Sequence, residues 1–163
     1  MAKNKEEKTN VMRVLEQKKI AYTAHTYPHE EGMAVDGVTV AKSMGFDPAI
    51  VFKTLVARGA SKQYYVFDVP VAENLDLKKA AKAVGEKSIE MIHQKELLPL
   101  TGYVHGGCSP VGMKKLFPTV IDASAENLET MIVSAGKIGY QVELSPRDLA
   151  ALVRAKFADL IAE

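Results

Sequence analysis

The feature that most constrains the fold is a run of eight almost entirely apolar residues, 50–57 (IVFKTLVA). Such a run is typical of a β-strand that is buried on both faces, and it is far too short to cross a membrane. Residues 59–62 (GASK) have the composition of a turn, and residues 63–69 (QYYVFDV) have that of a second strand. The two segments therefore predict an antiparallel hairpin.

The other periodic segments place further strands and helices around this hairpin. Strands are predicted at residues 20–27, 89–92, 119–122, 130–134 and 140–144, with a tight turn at residues 135–139. Helices are predicted at residues 11–15, 38–44, 75–84 and 94–98, the last closed by Pro99, and from Ser145 to about Asp159. Because these elements interleave without strict alternation, the fold class is expected to be α+β. We predict a mixed, mostly antiparallel sheet with helices outside it, in a single domain of residues 1–163.

Composition excludes several classes of protein. The 163 residues carry a net charge of +1, so bulk charge alone does not indicate nucleic-acid binding. The polar segment MAKNKEEKTN lacks the apolar stretch of a secretory signal, which predicts a cytoplasmic protein without a membrane association. Cys108 is the single cysteine, so neither an intramolecular disulfide nor a multi-cysteine zinc site is available. We expect no metal site and no cofactor.

Lys53 is the one charged residue inside the apolar run. By strand alternation it shares a face with Val51 and Leu55. A lysine there is either desolvated, paired or directed into a cleft, or it lies on an edge strand and reaches water along its stem. The pattern alone favours neither interpretation.

Residues 106–112 (GGCSPVG) must form an irregular loop. Three glycines let its backbone approach a ligand closely, so several N–H groups can point at one oxygen, as in an oxyanion hole. The alternative is a tight connection between two elements. A third hypothesis makes Cys108 a nucleophile with His105 as its base, but no acid that would orient the histidine is evident.

Four separated motifs resemble the YbaK/EbsC family, relatives of the editing domain inserted in bacterial prolyl-tRNA synthetases. They are VFKTLV around Lys53, residues 75–91 (LDLKKAAKAVGEKSIEM), residues 101–115 (TGYVHGGCSPVGMKK) and residues 133–149 (VSAGKIGYQVELSPRDL). The resemblance runs in the family's order from about Lys8 to the end of the chain. It implies a β-barrel-like sheet surrounded by helices.

The resemblance also implies an activity. Members of this family remove cysteine from mischarged tRNA(Pro), and Cys-tRNA(Cys) is a second substrate to consider. In the reaction it implies, the thiol of the substrate attacks its own ester carbonyl and gives a cyclic thiolactone and free tRNA. That chemistry needs no protein nucleophile, metal or cofactor. The implied partners are aminoacyl-tRNA and prolyl-tRNA synthetase in a ternary complex, with the chain itself a monomer or a weak dimer.

The same resemblance assigns roles to individual residues. Lys53 matches the lysine that holds the 3′-terminal nucleotide of the tRNA, and Thr54 follows it in the same motif. The family's GxxxP loop, whose N–H groups face the aminoacyl carbonyl, corresponds here to Gly106, Gly107, Cys108, Ser109 and Pro110.

Four further residues are expected to contact the substrate. Tyr27 matches an aromatic residue beside the pocket, and Ser134 matches the serine of a glycine-rich turn. Met33 corresponds loosely to an aromatic residue after the first loop, and Gln141 stands where several relatives carry an aspartate. The turn reads SAGKIG in residues 134–139 and departs from the family's S-G-G-K-R-G.

Two other functions remain open at this point. The chain is either an editing enzyme for another amino acid, such as alanine, that uses activated water, or a non-catalytic module that captures tRNA ends or docks on a synthetase. The size of the pocket around Tyr27, Met33 and the loop of residues 106–112 bears on the first of these.

Overall fold

The computed structural model describes residues 8–30 and 33–163. Within them lie five α-helices: α1 (Asn10–Gln17), α2 (Gly37–Ser43), α3 (Leu77–Val84), α4 (Gln94–Thr101) and α5 (Pro146–Val153). The eight strands there are β1 (Tyr22–Thr26), β2 (Phe52–Gly59), β3 (Tyr64–Pro70), β4 (Ile89–Met91), β5 (Thr119–Asp122), β6 (Met131–Lys137), β7 (Tyr140–Leu144) and β8 (Lys156–Ala158). Residues 1–7 of the polar N-terminal segment, and residues 31–32 between β1 and α2, lie outside the described residues.

The strands form two sheets. Strands β1, β7 and β6 pair antiparallel in that order, and a second sheet has the order β4-β2-β3-β5-β8. The β2–β3 hairpin predicted from the sequence is confirmed, whereas β5 pairs parallel with both β3 and β8. A single parallel bridge between Val51 and Ile132 links the sheets. The mixed, mostly antiparallel pairing of an α+β fold is confirmed, but the prediction of one sheet is wrong, because the strands divide into two. No pairing among the described residues closes a barrel, so a barrel-like curvature stays a prediction.

Strand β2 is buried on both faces, as its apolar run predicts. Phe52 and Val56 belong to the larger core cluster, which also contains residues of α1, β6, β7 and α5. Ala57 lies on the opposite face, in a second cluster with Phe67 and Ala80. The alternation of side chains along one strand therefore joins two cores, one on each side of the hairpin.

Local capping chemistry fixes the ends of two helices. The carboxylate of Asp76 accepts hydrogen bonds from the amides of Lys78 and Lys79 at the start of α3, and Gly85 ends the helix in the left-handed conformation. Ser145 accepts from the amide of Asp148 at the start of α5, where a proline occupies the first turn.

The last helix is shorter than predicted. It ends at Val153 rather than near Asp159, because Arg154 adopts a left-handed conformation with φ of 58°. The chain then forms β8 beside β5, and the amide of Leu160 donates to the buried carboxylate of Asp122 at 2.9 Å. Pairing with a distant strand decides this segment, and a helical periodicity cannot reveal that.

Two other boundaries also differ from the prediction. Helix α4 continues through Pro99 to Thr101, although the proline was expected to close it at Leu98. Strand β6 runs to Lys137 through a register shift after Ser134, so the predicted five-residue turn shrinks to two residues before β7. The register shift in β6 is a β-bulge-like irregularity within a paired strand, whereas Pro99 lies on the exposed side of α4.

Among the helices of residues 8–30 and 33–163, none has the length and apolar character needed to cross a membrane.

The glycine that ends α3 offers a direct test of this fold. Gly85 has φ of 75° and open space where a side chain would begin. Gly85→Ala should therefore lower the free energy of unfolding by about 1 kcal/mol through backbone strain alone. Urea denaturation followed by circular dichroism measures the change.

Arg154→Gly is the matched control, because it relieves a left-handed arginine at the corresponding position of α5. It should raise the free energy of unfolding by a similar amount. Equal stability of wild type and Gly85→Ala would contradict the conformation described for the end of α3.

Candidate functional site

The main pocket is lined in part by residues of β2 and β6. Val51, the residue before β2, forms an isolated parallel bridge with Ile132 of β6, and the cavity has a volume of about 460 Å³. Its wall combines parts of β2, β6 and β7 with the segment before α2 and the glycine-rich loop. The lining residues are Tyr27, Ala34, Val35, Asp36, Gly37, Val40, Phe52, Lys53, Thr54, Leu55, Val71, Leu97, His105, Gly106, Cys108, Ser134 and Gln141.

The edge of β2 is open toward this cavity. Strand β4 pairs with β2 only at Ala57–Gly59, and the carbonyl of Val56 accepts from the amide of Ile92 at 3.4 Å. Backbone groups alternate in direction along a strand, so the N–H and C=O of Thr54 point to the same side as the carbonyl of Val56. A ligand in the pocket therefore meets backbone donors and acceptors as well as side chains.

Lys53 lies in the pocket wall. Burial lowers the pKa of its ammonium group below the usual value, and the carboxylates of Asp36 and Glu73 partly oppose this effect. Its amine forms neither a salt bridge nor a hydrogen bond with any residue that the structure describes. The structure therefore places a partly desolvated cation in the wall of the cleft, without a salt-bridge or hydrogen-bond partner in the part of the chain that it describes.

The glycine-rich loop is tightly packed. Gly106 has φ of 90°, and a Cβ added there would come within 2.7 Å of the Cβ of Ala34. A Cβ on Gly107 would lie 3.1 Å from the backbone nitrogen of Ile138. The two glycines therefore let the loop fit between the segment before α2 and the β6–β7 turn.

The five residues of the predicted loop motif differ in their access to the pocket. Gly106 and Cys108 line the cavity, whereas Gly107, Ser109 and Pro110 are not among its lining residues. The amide of Gly107 donates to the carbonyl of Val104 at 2.9 Å, so this amide is already used in a turn. Fewer N–H groups of this loop are therefore available to a ligand than the five-residue motif suggests.

Cys108 lies in a protected position. Its side chain is buried, and burial, reinforced by the nearby carboxylate of Asp68, raises the pKa of the thiol to about 12. A thiol with this pKa is protonated at neutral pH, and the thiolate is the nucleophilic form. Although His105 also lines the pocket, this electrostatic environment disfavours a Cys108 nucleophile.

Three of the four other predicted contact residues meet at the pocket. Tyr27 is buried in its wall, and Ser134 pairs in register with Gln141 across β6 and β7. Ser134 accepts from the amide of Gly136 at 3.1 Å, which holds the register shift in β6. The side-chain oxygen of Gln141 is buried without a hydrogen-bond partner in the described structure. Met33 is 58% exposed and is not among the lining residues.

Asp68 is a polar group that the sequence analysis missed. It is completely buried on β3, directly opposite Thr54 on β2, and the Thr54 hydroxyl donates to its Oδ1 at 2.5 Å. Its Oδ2 has no hydrogen-bond partner within the described residues. Burial raises the pKa of this carboxyl to about 7, and the bond from Thr54 counteracts only part of that rise. The signal in the sequence was one carboxylate inside the apolar segment YYVFDVP.

No group of three or more histidine, cysteine, aspartate or glutamate side chains in the described part of the chain is arranged to hold a metal ion.

The raised pKa of Asp68 predicts a pH-dependent stability. Between about pH 4 and pH 7 the folded protein keeps a proton that the unfolded chain has released. This contribution is fully present at low pH and is lost as the pH rises through about 7, by an amount on the order of a few kcal/mol. Asp68→Asn removes the titration, so its stability relative to wild type should increase as the pH rises. Urea denaturation at a series of pH values measures it.

Asp122 provides a matched control, because its buried carboxylate accepts hydrogen bonds from the backbone amides of Ser124 and Leu160. Asp122→Asn should destabilise the protein throughout the same pH range, since it places an amide group against a backbone donor. A stability difference between Asp68→Asn and wild type that does not vary with pH would contradict the placement of Asp68.

Comparison with known proteins supplies an independent line of evidence. The sequence pattern of the aminoacyl-tRNA editing domain family matches residues 29–152. This range contains every lining residue of the pocket except Tyr27. The chain is also 44% identical over 161 residues to EbsC of Enterococcus faecalis, with 98% of each chain covered. That relative carries the name of a Cys-tRNA(Pro)/Cys-tRNA(Cys) deacylase.

Solved structures resemble the whole fold. A protein described as a trans-editing enzyme for prolyl tRNA synthetase is similar with a TM-score of 0.78 and 26% identity, over 94% of this chain and 95% of the other. A scaffold protein from work on computational epitope grafting is similar with a TM-score of 0.82 and 25% identity, over the same two fractions.

Proposed function

Because this chain belongs to the aminoacyl-tRNA editing domain family, we propose that it is an editing enzyme that acts in trans and removes cysteine from Cys-tRNA(Pro) and Cys-tRNA(Cys). The observation that carries the proposal is the pocket of about 460 Å³ lined in part by β2 and β6. It combines a cation without a partner, backbone donors and a small apolar wall. This combination suits a charged nucleic-acid end that carries a small side chain.

The proposed reaction uses the thiol of the substrate. The sulfur attacks the carbonyl carbon of its own ester, a C–S bond forms, and the C–O bond to the terminal ribose breaks. The thiol proton ends on the departing ribose oxygen, so the products are a cyclic thiolactone and free tRNA. Since the reacting groups belong to one molecule, the protein contributes mainly by holding them in a productive geometry. The pKa of about 12 for the Cys108 thiol supports a mechanism without a protein thiolate.

Lys53 anchors the tRNA end in this proposal. An ammonium group that is partly desolvated and has no protein partner gains a strong charge-assisted hydrogen bond when it meets a phosphate. The open backbone edge at Thr54 adjoins it and offers further hydrogen bonds. Together these groups hold the terminal nucleotide and direct the aminoacyl ester toward the loop.

The loop amides stabilise the negative charge on the carbonyl oxygen. Gly106 and Cys108 line the pocket, and their N–H groups donate to no acceptor in the part of the chain that the structure describes. One well-placed donor of this kind is worth about 3 kcal/mol in an acyl-transfer transition state. The amide of Gly107 is already bonded to Val104 and is left out of this role.

Partners and context follow from the same proposal. A cavity of about 460 Å³ has the size of a small-molecule site and is far too small for the body of a tRNA, so recognition of the tRNA body is assigned to prolyl-tRNA synthetase in a ternary complex. We propose that residues 1–163 act as one domain, as a monomer or a weak dimer in the cytoplasm. The reaction as proposed requires neither a metal nor a cofactor.

A deacylation panel tests the chemistry directly. Cys-, Ala-, Ser- and Pro-tRNA(Pro) are incubated with the protein, and the released products are identified by mass spectrometry. We expect rapid loss of cysteine as a thiolactone. Serine and alanine should be retained, because a hydroxyl is a far weaker nucleophile than a thiol and alanine has neither group.

Release of alanine as the free acid would instead support an editing enzyme that uses activated water. Tight binding of every aminoacyl-tRNA without deacylation would support a non-catalytic module. Either outcome rejects the thiol-assisted mechanism.

Lys53→Ala tests the anchor. Loss of one charge-assisted hydrogen bond should raise KM for Cys-tRNA(Pro) by about 10-fold or more, with a smaller effect on kcat. Steady-state deacylation kinetics give both constants. The matched control is Lys82→Ala, which removes an exposed lysine of α3 that is not among the lining residues. Equal KM values for the two variants would refute the assignment of Lys53.

A further inference from the structure

Asp68 is buried at a cost that its hydrogen bonds do not offset. It receives one hydrogen bond, from the Thr54 hydroxyl, and its second carboxylate oxygen has no partner among the described residues. The contrast is Asp122, equally hidden from solvent, whose two oxygens accept backbone amides and tie the C-terminal segment to the sheet. The hydrogen bonds of Asp122 thus stabilise the fold, whereas the buried carboxyl of Asp68 accepts a hydrogen bond from one hydroxyl group only among the described residues.

Thr54 connects that carboxyl to the pocket. Thr54 lines the cavity, and its hydroxyl donates a hydrogen bond to Oδ1 of Asp68, which is not among the lining residues. A hydroxyl group that donates in one direction keeps lone pairs that accept in another. The Thr54 oxygen is therefore available to a polar hydrogen of a bound substrate.

The charged and titratable groups around the pair leave Asp68 without a counter-ion. Lys53 is adjacent to Thr54 in sequence, but strand alternation directs its side chain to the opposite face of β2. From the glycine-rich loop the thiol of Cys108 faces the carboxyl, and from β5 the register partner is the apolar Ile121. Thr54 is the pocket-lining residue that hydrogen-bonds to Asp68, so its hydroxyl links the carboxyl to the pocket.

We propose that Asp68 is a positioning residue that takes up the thiol proton of the substrate through the hydroxyl of Thr54, which is the group that touches the substrate. The proposal rests on the proposed function. An amide at position 68 would also accept the Thr54 hydrogen bond, so the orientation of the hydroxyl alone does not require a carboxyl. The ionisable group matters because the attacking sulfur must lose its proton.

The step balances without another reactant. As the sulfur forms its bond to the carbonyl carbon, the thiol proton moves to the Thr54 oxygen while the Thr54 hydroxyl proton moves to Asp68. When the ester bond breaks, the same path returns a proton to the departing ribose oxygen. Asp68 ends ionised as it began, and nothing is oxidised or reduced. Its carboxyl, with a pKa of about 7 caused by burial, suits a group that accepts and returns a proton near neutral pH.

Single-turnover deacylation of Cys-tRNA(Pro) over a range of pH tests the proposal. Asp68→Asn and Thr54→Val should each lower the rate constant by about 100-fold, with KM nearly unchanged. Thr54→Ser, which keeps the hydroxyl, should retain most of the rate. In wild type the rate should rise through about pH 7, and in Asp68→Asn it should follow the ionisation of the substrate thiol alone, so the two pH profiles should differ in shape.

Two controls distinguish a loss of catalysis from a loss of folding. Thr119→Val deletes another buried hydroxyl, one that donates to the carbonyl of Phe117 and lies outside the pocket, and it should keep the wild-type rate. Urea denaturation of each variant establishes that it is folded under the assay conditions. If Asp68→Asn does not fold, the comparison of Thr54→Val with Thr54→Ser decides the question.

The outcomes separate the two proposals. A wild-type protein that leaves Cys-tRNA(Pro) intact rejects the proposed function itself. A wild type that forms the thiolactone, together with Thr54→Val or Asp68→Asn at the wild-type rate, rejects proton uptake by the pair. A loss of rate in Asp68→Asn that is equal at every pH also rejects it, because that result indicates only a disturbed geometry.

Discussion

The pocket depends on the unequal pairing of the two edges of β2. Along one edge β2 is bonded to β3 from Phe52 to Arg58. Along the other edge, the pairing among the described residues is confined to the Val51–Ile132 bridge just before the strand and to the short strand β4 near its end. The unpaired stretch between these two attachments forms one wall of the cavity. Because both faces of β2 are packed into cores, this edge stays in place without a second strand to hold it.

Alternation along the same strand gives the two sides of the site different chemistry. Lys53 projects from one face and Thr54 from the other, where it meets Asp68. Burial disfavours the charged form of both ionisable groups, so it lowers the pKa of the lysine and raises that of the aspartate. The strand between them prevents a direct ion pair. The wall of the pocket therefore carries a partly desolvated cation on one face of the strand, and a buried carboxyl lies behind the other face.

Much of the fold was predictable because local chemistry decides it. The β2–β3 hairpin, the cap of α3 by Asp76 and Gly85, and the start of α5 at Ser145 all depend on residues a few positions apart. The extent of α5 was not predictable in this way. Its end at Val153 depends on the pairing of the following segment with β5, a strand more than thirty residues earlier in the chain.

The residues of the candidate site divide in the same way, into those that their own segment reveals and those that only the folded chain reveals. From the sequence alone, the charged residue in an apolar strand marked Lys53, and the density of glycines marked the loop from Gly106 onward, since both are unusual within their own segments. Only the tertiary structure decided that the amide of Gly107 is used by Val104 and that Asp68 stands behind Thr54. Residue types and their local spacing are written in the sequence. Which hydrogen-bonding groups remain free, and which charges lose their water, depends on segments that meet only when the chain folds.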